Sequence, residues 1–536
     1  MQWYNKKYFF ALVIIYISLV SLKIFISRDF LSPCIGDEIG YYFFSKYPLA
    51  GRILNCRYPP LFPLLFYPLH FFVNDIEAKY QLIKLINILI SSLAIFPAFY
   101  LAKIFVSNFE AFLVAILSVL IPTHFVHGSF LMRPEGLFLV LFLTSVFFIF
   151  RYEQTGNKIC GCAGGFFAGL FILTKILGLF LIPAYLLTTL VLRKNINKYF
   201  LIGTLVATPY FIYNALKFGF TEYGITGYSI TCPATSALNG GFGSNILSMF
   251  NAHFGTLVLG SGLIFGILSI AFLFKLFSKD VSDVLSKTFV TFLWLSIIIV
   301  CAICGLFLPG EPNIRCRYIF FLLPLIFVVG IKFIHLLSER KIRSVKDSLL
   351  IADSFIVVAV CITFFTGLKV GNHWGEISLL YGYFNQTTII SVVGGTIALT
   401  IYLLVIKKYQ KQIITYGAII LILCFFIYGN SITIQKVSGW GSYWYEMKEV
   451  GRYISSIDEK IIFDKDLYRD FWGGGVYCNL CFWSDRLIPC RAINSSNSTV
   501  YIITHKKMNS IKKYEWCDEI GRCVYIYKKE VNKNEI

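Results

Sequence analysis

The sequence has unusually little charge for its length. Only 14% of the 536 residues are Asp, Glu, Lys or Arg, and 48 basic residues outnumber 29 acidic ones. Soluble globular proteins are about 25% charged and about 45–50% apolar, whereas this chain is 57% hydrophobic and 18% aromatic. The composition therefore excludes a soluble globular enzyme, a disordered chain and a fibrous repeat. It indicates a protein that crosses a membrane many times.

Apolar runs approaching the span length of about 20 residues recur from residue 8 to residue 430. We predict about thirteen transmembrane helices, of which the two between 160 and 192 are separated by Lys175 and could form a broken or re-entrant pair. No small-residue cleavage site follows the first run, which predicts a retained helix. The predicted spans are 8–27, 82–106, 110–127, 136–150, 160–174, 176–192, 199–216, 254–277, 288–308, 318–337, 349–368, 388–406 and 412–430.

The composition changes after residue 430. Segment 431–536 has no apolar run of span length, and short β-rich runs occur at 460–463, 500–503 and 524–527. A helix-like stretch from Tyr445 to Ile457 precedes them. This order of elements predicts a small α/β domain at 431–536, which follows an all-α membrane domain at 1–430.

The Lys and Arg residues of short loops predict the orientation of the chain. With a cytoplasmic N-terminus, the basic clusters at 193–198, 340–346 and 407–411 lie inside, and thirteen spans place the C-terminal domain outside the cytoplasm. Three Asn-x-Ser/Thr sequons agree, because all of them then fall in outside segments. These sequons begin at Asn385, Asn494 and Asn497.

The long loops indicate on which face a functional site lies, and the distribution of charge bears on the kind of partner. The predicted outside loops 28–81 and 217–253 are long, which favours a site on that face. Of the formal net charge of +19, segment 431–536 contributes +3 and the membrane region +16. Because much of that +16 lies in the basic inside loops, it reflects membrane topology and does not indicate a nucleic-acid partner.

The 15 cysteines are numerous, and several fall in predicted outside segments, where disulfides form. Cys517 and Cys523 flank a short loop and predict a cross-strand disulfide, and Cys34 and Cys56 could form another across the first loop. The alternatives are free thiols or a zinc site with four cysteine ligands. Those four ligands would be Cys478, Cys481, Cys517 and Cys523.

An acidic pair, Asp37 and Glu38, follows the first predicted span. Carboxylates beside a bilayer are costly unless they are solvated, paired or used in function. The pair could supply a general base or orient an acceptor, or it could be a solvated part of the loop.

Cations accompany this acidic pair on the same predicted face. Arg57 precedes Tyr58 and a double proline, and its guanidinium could either bind a phosphate or rest at the headgroup level. Arg133 and Glu135 share a tight turn, where they either pair or line a common cavity. Lys175 lies within an apolar region, which makes it a functional candidate with a phosphate or a carboxylate as partner.

Further polar residues lie at the ends of other spans. Arg317 and Tyr318 open the tenth span on the outside, where the charge rule does not favour arginine. His124 and His127 end the third span, but no third ligand nearby supports a metal site. One acidic cluster with several cations suits a membrane-embedded substrate that has a phosphate leaving group.

The order of these motifs resembles a known family. They are Gly36-Asp37-Glu38-Ile39-Gly40-Tyr41-Tyr42, Arg57-Tyr58-Pro59-Pro60-Leu61, Arg133-Pro134-Glu135-Gly136, Gly169-Leu170 before Thr174-Lys175, and Arg317-Tyr318 before Pro324. The chain resembles the GT-C membrane glycosyltransferases, in the branch that holds the protein O-mannosyltransferases and the lipid A aminoarabinose transferase. The resemblance covers roughly residues 8–340 and, in outline, the outer domain.

The resemblance implies a sugar transfer from a polyprenyl- or dolichyl-phosphate carrier to an acceptor hydroxyl on the outer face, with inversion. It implies that Asp37 is the base towards the acceptor and that Glu38 positions the acceptor or the sugar. It further implies a group of residues at the lipid phosphate. That group is Arg57, Tyr58, Arg133, Glu135, Lys175, Arg317 and Tyr318.

The sequence also departs from parts of the family pattern. The oligosaccharyltransferase signature Trp-Trp-Asp-Tyr-Gly and the central repeat domain of the eukaryotic O-mannosyltransferases are absent. Both gaps weaken the case for a protein acceptor, so the acceptor hydroxyl could belong to a lipid, a glycan or a protein. A divalent metal, Mg²⁺ or Mn²⁺, could bind through Asp37 and Glu38, although no dense cluster of metal ligands supports it.

Two other classes of function remain alternatives to a glycosyltransferase. A polyprenyl-lipid or solute transporter would usually have two hydropathy halves related by a repeat, and this sequence has none that we detect. A non-catalytic membrane subunit of a surface-glycan assembly is compatible with the sequence.

Overall fold

The chain is mostly helical, with a small sheet near its C-terminal end, in the computed structural model. The structure describes residues 6–33, 36–48, 58–219, 250, 253–258, 260–261, 264–276, 283–307, 318–338, 411–459, 461–464, 471–485, 488, 490–491, 500–504, 511–517 and 523–529.

Within the described residues, the membrane region consists of α-helices with one π-helical turn and three 3₁₀ turns between them. The first are α1 (Lys6–Ser27), α2 (Gly36–Lys46), α3 (Leu61–Leu64), α4 (Leu69–Phe72), α5 (Ile76–Ser92), α6 (Ile95–Ala102) and α7 (Asn108–Leu120). Next come a π-helical turn (Thr123–His127), α8 (Gly128–Phe130), α9 (Glu135–Thr155), α10 (Lys158–Thr174), a 3₁₀ turn (Ile176–Phe180), α11 (Leu181–Val191), α12 (Lys198–Thr204), a 3₁₀ turn (Leu205–Ala207) and α13 (Thr208–Phe218). Further along are α14 (Ile264–Lys275), α15 (Val284–Phe307), a 3₁₀ turn (Phe320–Leu322) and α16 (Leu323–Ser338).

Local sequence signals set several of these boundaries. Asp75 caps α5 by accepting a backbone N–H bond, and Ser107 forms a capping box with Glu110 at the start of α7. Gly156 ends α9 in the left-handed conformation, with φ of 68°, and Asn157 caps α10 immediately afterwards.

One predicted span is bent in the structure, and the helices also stop at Lys175, between two predicted spans. The third, 110–127, is not one straight helix, because α7 and the segment Thr123–Phe130 meet at an angle of 62°. Pro122 lies at this break and has no N–H to continue the α-helical hydrogen bonds. Lys175 has extended backbone angles, φ −156° and ψ 128°, between α10 and the next 3₁₀ turn. The predicted interruption at Lys175 is therefore present.

The chain is a multi-pass membrane protein. Among the described residues, 5 helices are long and apolar enough to span a bilayer, and 6 if the bent pair counts as one span. Several shorter apolar helices of 10–17 residues accompany them. The predicted count of thirteen is not confirmed, and the predicted spans 349–368 and 388–406 lie outside the described residues.

Opposite ends of the bundle differ in charge. At one end, which we call the Glu135 end, α9 begins and α10 finishes. At the other, the Glu153 end, Lys194 Nζ lies 2.7 Å from Glu153 Oε2 and donates to Thr288 Oγ1 at 2.7 Å. Many cations lie at helix termini of the Glu153 end. They include Lys103, Arg151, Lys158, Arg193, Lys194, Lys198 and Lys287.

A close approach of two glycines fixes the start of α9. A Cβ atom added to Gly136 would lie 2.5 Å from the backbone oxygen of Gly128 and 2.7 Å from Ser91 Cβ. Because backbone atoms cannot move aside without disturbing the helices, we expect Gly136→Ala to destabilise the protein by about 1–3 kcal/mol. Thermal unfolding of the detergent-purified protein measures the effect.

Gly417 supplies the matched control for this substitution. It lies in the helix α17 (Lys411–Tyr445), and nothing stands within 4 Å of its added Cβ. Gly417→Ala should therefore leave the unfolding temperature unchanged or raise it slightly, because alanine is the better helix former. Equal unfolding temperatures for the two variants would contradict the packing described for Gly136.

The C-terminal region begins with a long helix. The predicted domain boundary at residue 430 lies inside α17. The elements that follow are α18 (Lys448–Ser455), β1 (Ile461–Asp464), α19 (Phe471–Trp483), β2 (Cys490–Arg491), β3 (Val500–Thr504), β4 (Ile511–Cys517) and β5 (Cys523–Lys529). The sheet has the order β2-β1-β3-β5-β4, with β1 parallel to β2 and β3, and β5 antiparallel to β3 and β4.

A disulfide joins the hairpin of β4 and β5. Cys517 and Cys523 are register partners on the two strands, and their sulfurs are bonded. The zinc alternative that used these two thiols is therefore wrong. Cys481 is buried in α19, whereas Cys34 and Cys56 lie outside the described residues, as do the three predicted sequons.

Candidate active site

The acidic pair lies in the first turn of α2, at the Glu135 end of the bundle. Glu38 is 1% exposed, and its Oε1 accepts hydrogen bonds from the backbone N–H of Met132 at 2.9 Å and the hydroxyl of Tyr80 at 3.4 Å. Asp37 is the more accessible, with 38% of its side chain exposed, and its Oδ2 lies 3.7 Å from Arg133 Nη2. One carboxylate is thus fixed in the interior while its neighbour faces outward.

Arg133 connects the acidic pair to the π-helical turn. Its side chain is 4% exposed, and its Nη1 lies 3.4 Å from His127 Nδ1. Among the described residues its buried Nε has no hydrogen-bond partner. The guanidinium is therefore held close to Asp37 and keeps a donor available for another acceptor.

A second acid–base pair lies beside the first. Lys175 Nζ is 3.3 Å from Glu135 Oε1, and Glu135 is 1% exposed. The same ammonium lies over the ring of Tyr318, 4.2 Å from its centre. His124 Nδ1 approaches the backbone oxygen of Glu135 at 3.2 Å. The structure thus brings together Lys175, Tyr318 and Glu135, from three distant parts of the sequence.

The buried lysines of the described residues include Lys84 and Lys23, which were not among the predicted site residues. Lys84 is 1% exposed and donates to the backbone oxygens of Ser27, the last residue of α1, at 2.9 Å and of Phe30 at 2.5 Å. Lys23 is also 1% exposed and donates to Ser91 Oγ at 3.1 Å. A lysine within an apolar run is a visible signal, and the rule that selected Lys175 applies equally to these two.

Comparisons with known proteins support the fold. The structure of ArnT from Cupriavidus metallidurans bound to undecaprenyl phosphate matches with a TM-score of 0.55 and 12% sequence identity, covering 96% of this chain and 97% of that chain. The chain has the GT-C fold. The apo state of the same ArnT matches with a TM-score of 0.55 and 14% identity, again covering 96% of this chain and 97% of that chain.

A further structural match is weaker, and the sequence itself has no match. An oligosaccharyltransferase from Archaeoglobus fulgidus matches in structure with a TM-score of 0.46 and 11% identity, covering 100% of this chain and 76% of that chain. No family model and no curated protein matches the sequence.

Other predicted site residues occupy different places in this GT-C fold. Tyr58 is 5% exposed, with its ring 4.1 Å from that of Tyr41, and it lies so close to Gly40 that an added Cβ there would be 2.5 Å from its hydroxyl. It is thus packed against α2. Arg57 and Arg317 lie outside the described residues.

The described side chains of this GT-C fold do not form a metal site around the acidic pair. Asp37 lies beside a guanidinium, while Glu38 accepts two hydrogen bonds. Within the described ranges, the one group of three possible ligands is Glu515 with Cys517 and Cys523. Its two sulfurs are joined in the disulfide.

Proposed function

We propose that the chain is an inverting glycosyltransferase that moves a sugar from a polyprenyl- or dolichyl-phosphate carrier to a hydroxyl acceptor. The observation that carries this proposal is the cluster of three carboxylates and buried cations at one end of the bundle, centred on Asp37, Arg133 and Lys175. The GT-C fold supports it, as does a structural neighbour, ArnT, that binds undecaprenyl phosphate.

The chemistry divides between the two members of the acidic pair. The acceptor hydroxyl attacks the anomeric carbon of the sugar, and the bond from that carbon to the phosphate oxygen breaks. Asp37 takes the hydroxyl proton, because its carboxylate is the accessible one. Glu38 is held by Met132 and Tyr80 and positions the acceptor or the sugar. The products are the glycosylated acceptor and the free lipid phosphate.

The cations stabilise the negative charge that develops on the leaving phosphate. Arg133 has a buried Nε donor without a partner among the described residues, and Lys175 lies nearby on Glu135. The resemblance assigns Arg57 and Arg317 to the same phosphate-binding site, together with Tyr318, which lies against Lys175, and Tyr58, which packs against α2. Roles at the phosphate rest on the resemblance for the residues outside the described ranges.

We place this site on the extracytoplasmic face, with the N-terminus in the cytoplasm and about thirteen spans in all. The concentration of Lys and Arg at the Glu153 end supports this orientation, because basic helix ends face the cytoplasm. The membrane domain then covers 1–430 and the outer α/β domain 431–536.

Mass spectrometry of surface glycans, lipids and glycoproteins from cells with and without the chain tests the function. We expect one species to lose a sugar when the chain is absent, and that species identifies the acceptor and the sugar together. Identical profiles would contradict the transferase. Uptake of the carrier or of a solute into proteoliposomes without acceptor would favour the transporter instead.

Arg57→Ala is expected to weaken carrier binding, because the variant loses a bidentate phosphate contact worth about 1.5–3 kcal/mol, or roughly 10- to 100-fold in affinity. Binding of undecaprenyl phosphate to the purified protein measures this change. Arg28→Ala is the matched control, since Arg28 is exposed just beyond α1. Equal affinity in the two variants would remove Arg57 from the phosphate site.

A further inference from the structure

One carboxylate of the C-terminal domain, that of Asp485, contacts α2. Asp485 follows α19, and its side chain lies 2.9 Å from Lys46 Nζ and 3.3 Å from Lys79 Nζ. The hydroxyl of Tyr42 donates to it at 2.8 Å, and Lys46 also donates to its backbone oxygen at 2.9 Å. Two of these partners, Tyr42 and Lys46, belong to the same short helix that carries Asp37 and Glu38.

The charges at this contact are complementary at neutral pH. Burial by itself raises the pKa of Asp485, but the hydrogen bonds and charges of Lys46, Tyr42 and Lys79 hold that pKa below its ordinary value. Burial and the Asp485 charge raise the pKa of Tyr42, so its phenol keeps the proton that it donates. Asp485 therefore remains an anion between two ammonium groups.

Aromatic contacts connect α19 to Tyr80, the tyrosine that donates a hydrogen bond to Glu38. The ring of Phe482 lies 5.0 Å from the ring of Tyr42 and 5.5 Å from the ring of Tyr80. Tyr80 in turn donates a hydrogen bond to Glu38. Phe482 thus supports the tyrosine that holds the Glu38 carboxylate.

The end of α19 and the turn at Asp485 are held in place within the C-terminal domain. Gly451 of α18 lies so close to Trp483 that an added Cβ would be 2.3 Å from the tryptophan Cβ. Asp485 has a left-handed φ of 52°, which places it at the turn that closes α19. A shift of α19 would consequently be transmitted to both ends of α2.

We propose that Asp485 is a positioning residue for the transfer reaction, and that the C-terminal domain sets the place of the catalytic carboxylates through it. The inference rests on the proposed function. It assigns to the outer domain a part in turnover, through contacts to Tyr42, Lys46 and Lys79, and none in binding the phosphate carrier.

The test compares Asp485→Asn with Asp485→Glu in the full-length protein, reconstituted with the acceptor and with polyprenyl phosphate that carries the sugar, both acceptor and sugar being those that mass spectrometry identifies. We expect Asp485→Asn to lower kcat by about tenfold or more, since small displacements of catalytic groups have effects of this size. The KM for the lipid carrier should stay within about twofold. Asp485→Glu should restore much of the turnover, because its carboxylate can still reach Lys46.

Hydrogen–deuterium exchange supplies a readout that does not need activity. Asp485→Asn should raise exchange in the peptide 36–46, while strands β3 and β5 of the outer domain keep wild-type protection. Glu449→Gln is the matched control, because Glu449 is an exposed carboxylate that pairs with Arg452 in the same domain. That control should change neither exchange nor kcat.

Each outcome is decisive for one of the two proposals. Unchanged exchange at 36–46 would contradict the proposal that Asp485 holds α2 in place. Raised exchange with a normal kcat would contradict the positioning role, while the proposed transferase activity would stand. A fall in protection across β3 and β5 together with α2 would mean that Asp485 only stabilises its own domain. If the wild-type protein transfers no sugar, the proposed function and the positioning role fail together, although the exchange data still decide the contact.

Discussion

Asp37→Asn is expected to abolish sugar transfer while the protein stays folded and inserted. The amide nearly preserves the shape of the side chain but cannot accept the acceptor proton, and a positioned general base typically contributes about 10²- to 10⁴-fold to a rate. The effect should be large because Glu38, the neighbouring carboxylate, is 1% exposed and already accepts two hydrogen bonds. Complementation of cells that lack the chain, read by mass spectrometry of the modified acceptor, measures the loss.

Asp29→Asn is the matched control for this experiment. Asp29 is an exposed carboxylate at the same end of the bundle, just beyond α1. Its amide should support wild-type modification, and both variants should reach the membrane in equal amounts. Near-normal modification by Asp37→Asn would reject Asp37 as the base, and equal failure of both variants would point to a defect in folding or insertion.

One of the two breaks in the membrane helices could be predicted from the sequence. A lysine between two apolar runs predicted the interruption at Lys175, and the structure has extended backbone there. The bend after α7 was missed, although Pro122 was visible, because the apolar character continues to His127. Hydropathy measures the cost of placing residues in lipid, and it does not report the direction of the chain.

The C-terminal domain was predictable in its strands and less so in its helices. The β-rich runs correspond to β1, β3 and β5. The helix α19 was missed, because its three consecutive glycines, 473–475, read as a loop or turn signal. Its role in the fold depends on Phe482 and Asp485, whose partners are about 400 residues away in sequence. Such distant pairings leave no local pattern.

The candidate site was predictable in its residue types and not in its pairings. Asp37, Arg133 and Lys175 were selected because charges near a bilayer are costly, and the structure brings them to one end of the bundle. That Asp37 would face Arg133 and Glu135 would face Lys175 follows from how α2, α9 and α10 pack together, which one sequence cannot specify.

Lys175→Met is expected to lower the stability of the protein by about 3–5 kcal/mol, because it leaves the Glu135 carboxylate buried without its lysine. The double variant Glu135→Gln with Lys175→Met should recover most of that loss, since it removes both charges together. Thermal unfolding of the detergent-purified protein measures both effects. Sugar transfer should be lost in the single and the double variant alike, because the proposed phosphate site lacks an ammonium in each.

The matched control uses the ion pair at the far end of the bundle. Lys194 Nζ lies 2.7 Å from Glu153 Oε2 and is partly buried, so Lys194→Met should also reduce stability while sugar transfer per folded molecule stays normal. At the Glu153–Lys194 pair stability should therefore fall without a loss of transfer, whereas at the Glu135–Lys175 pair both should fall. If the double variant at Glu135 and Lys175 regains transfer along with stability, the pair is purely structural. Other cations must then stabilise the charge on the leaving phosphate. Among the described residues, Arg133 is the cation nearest to Asp37.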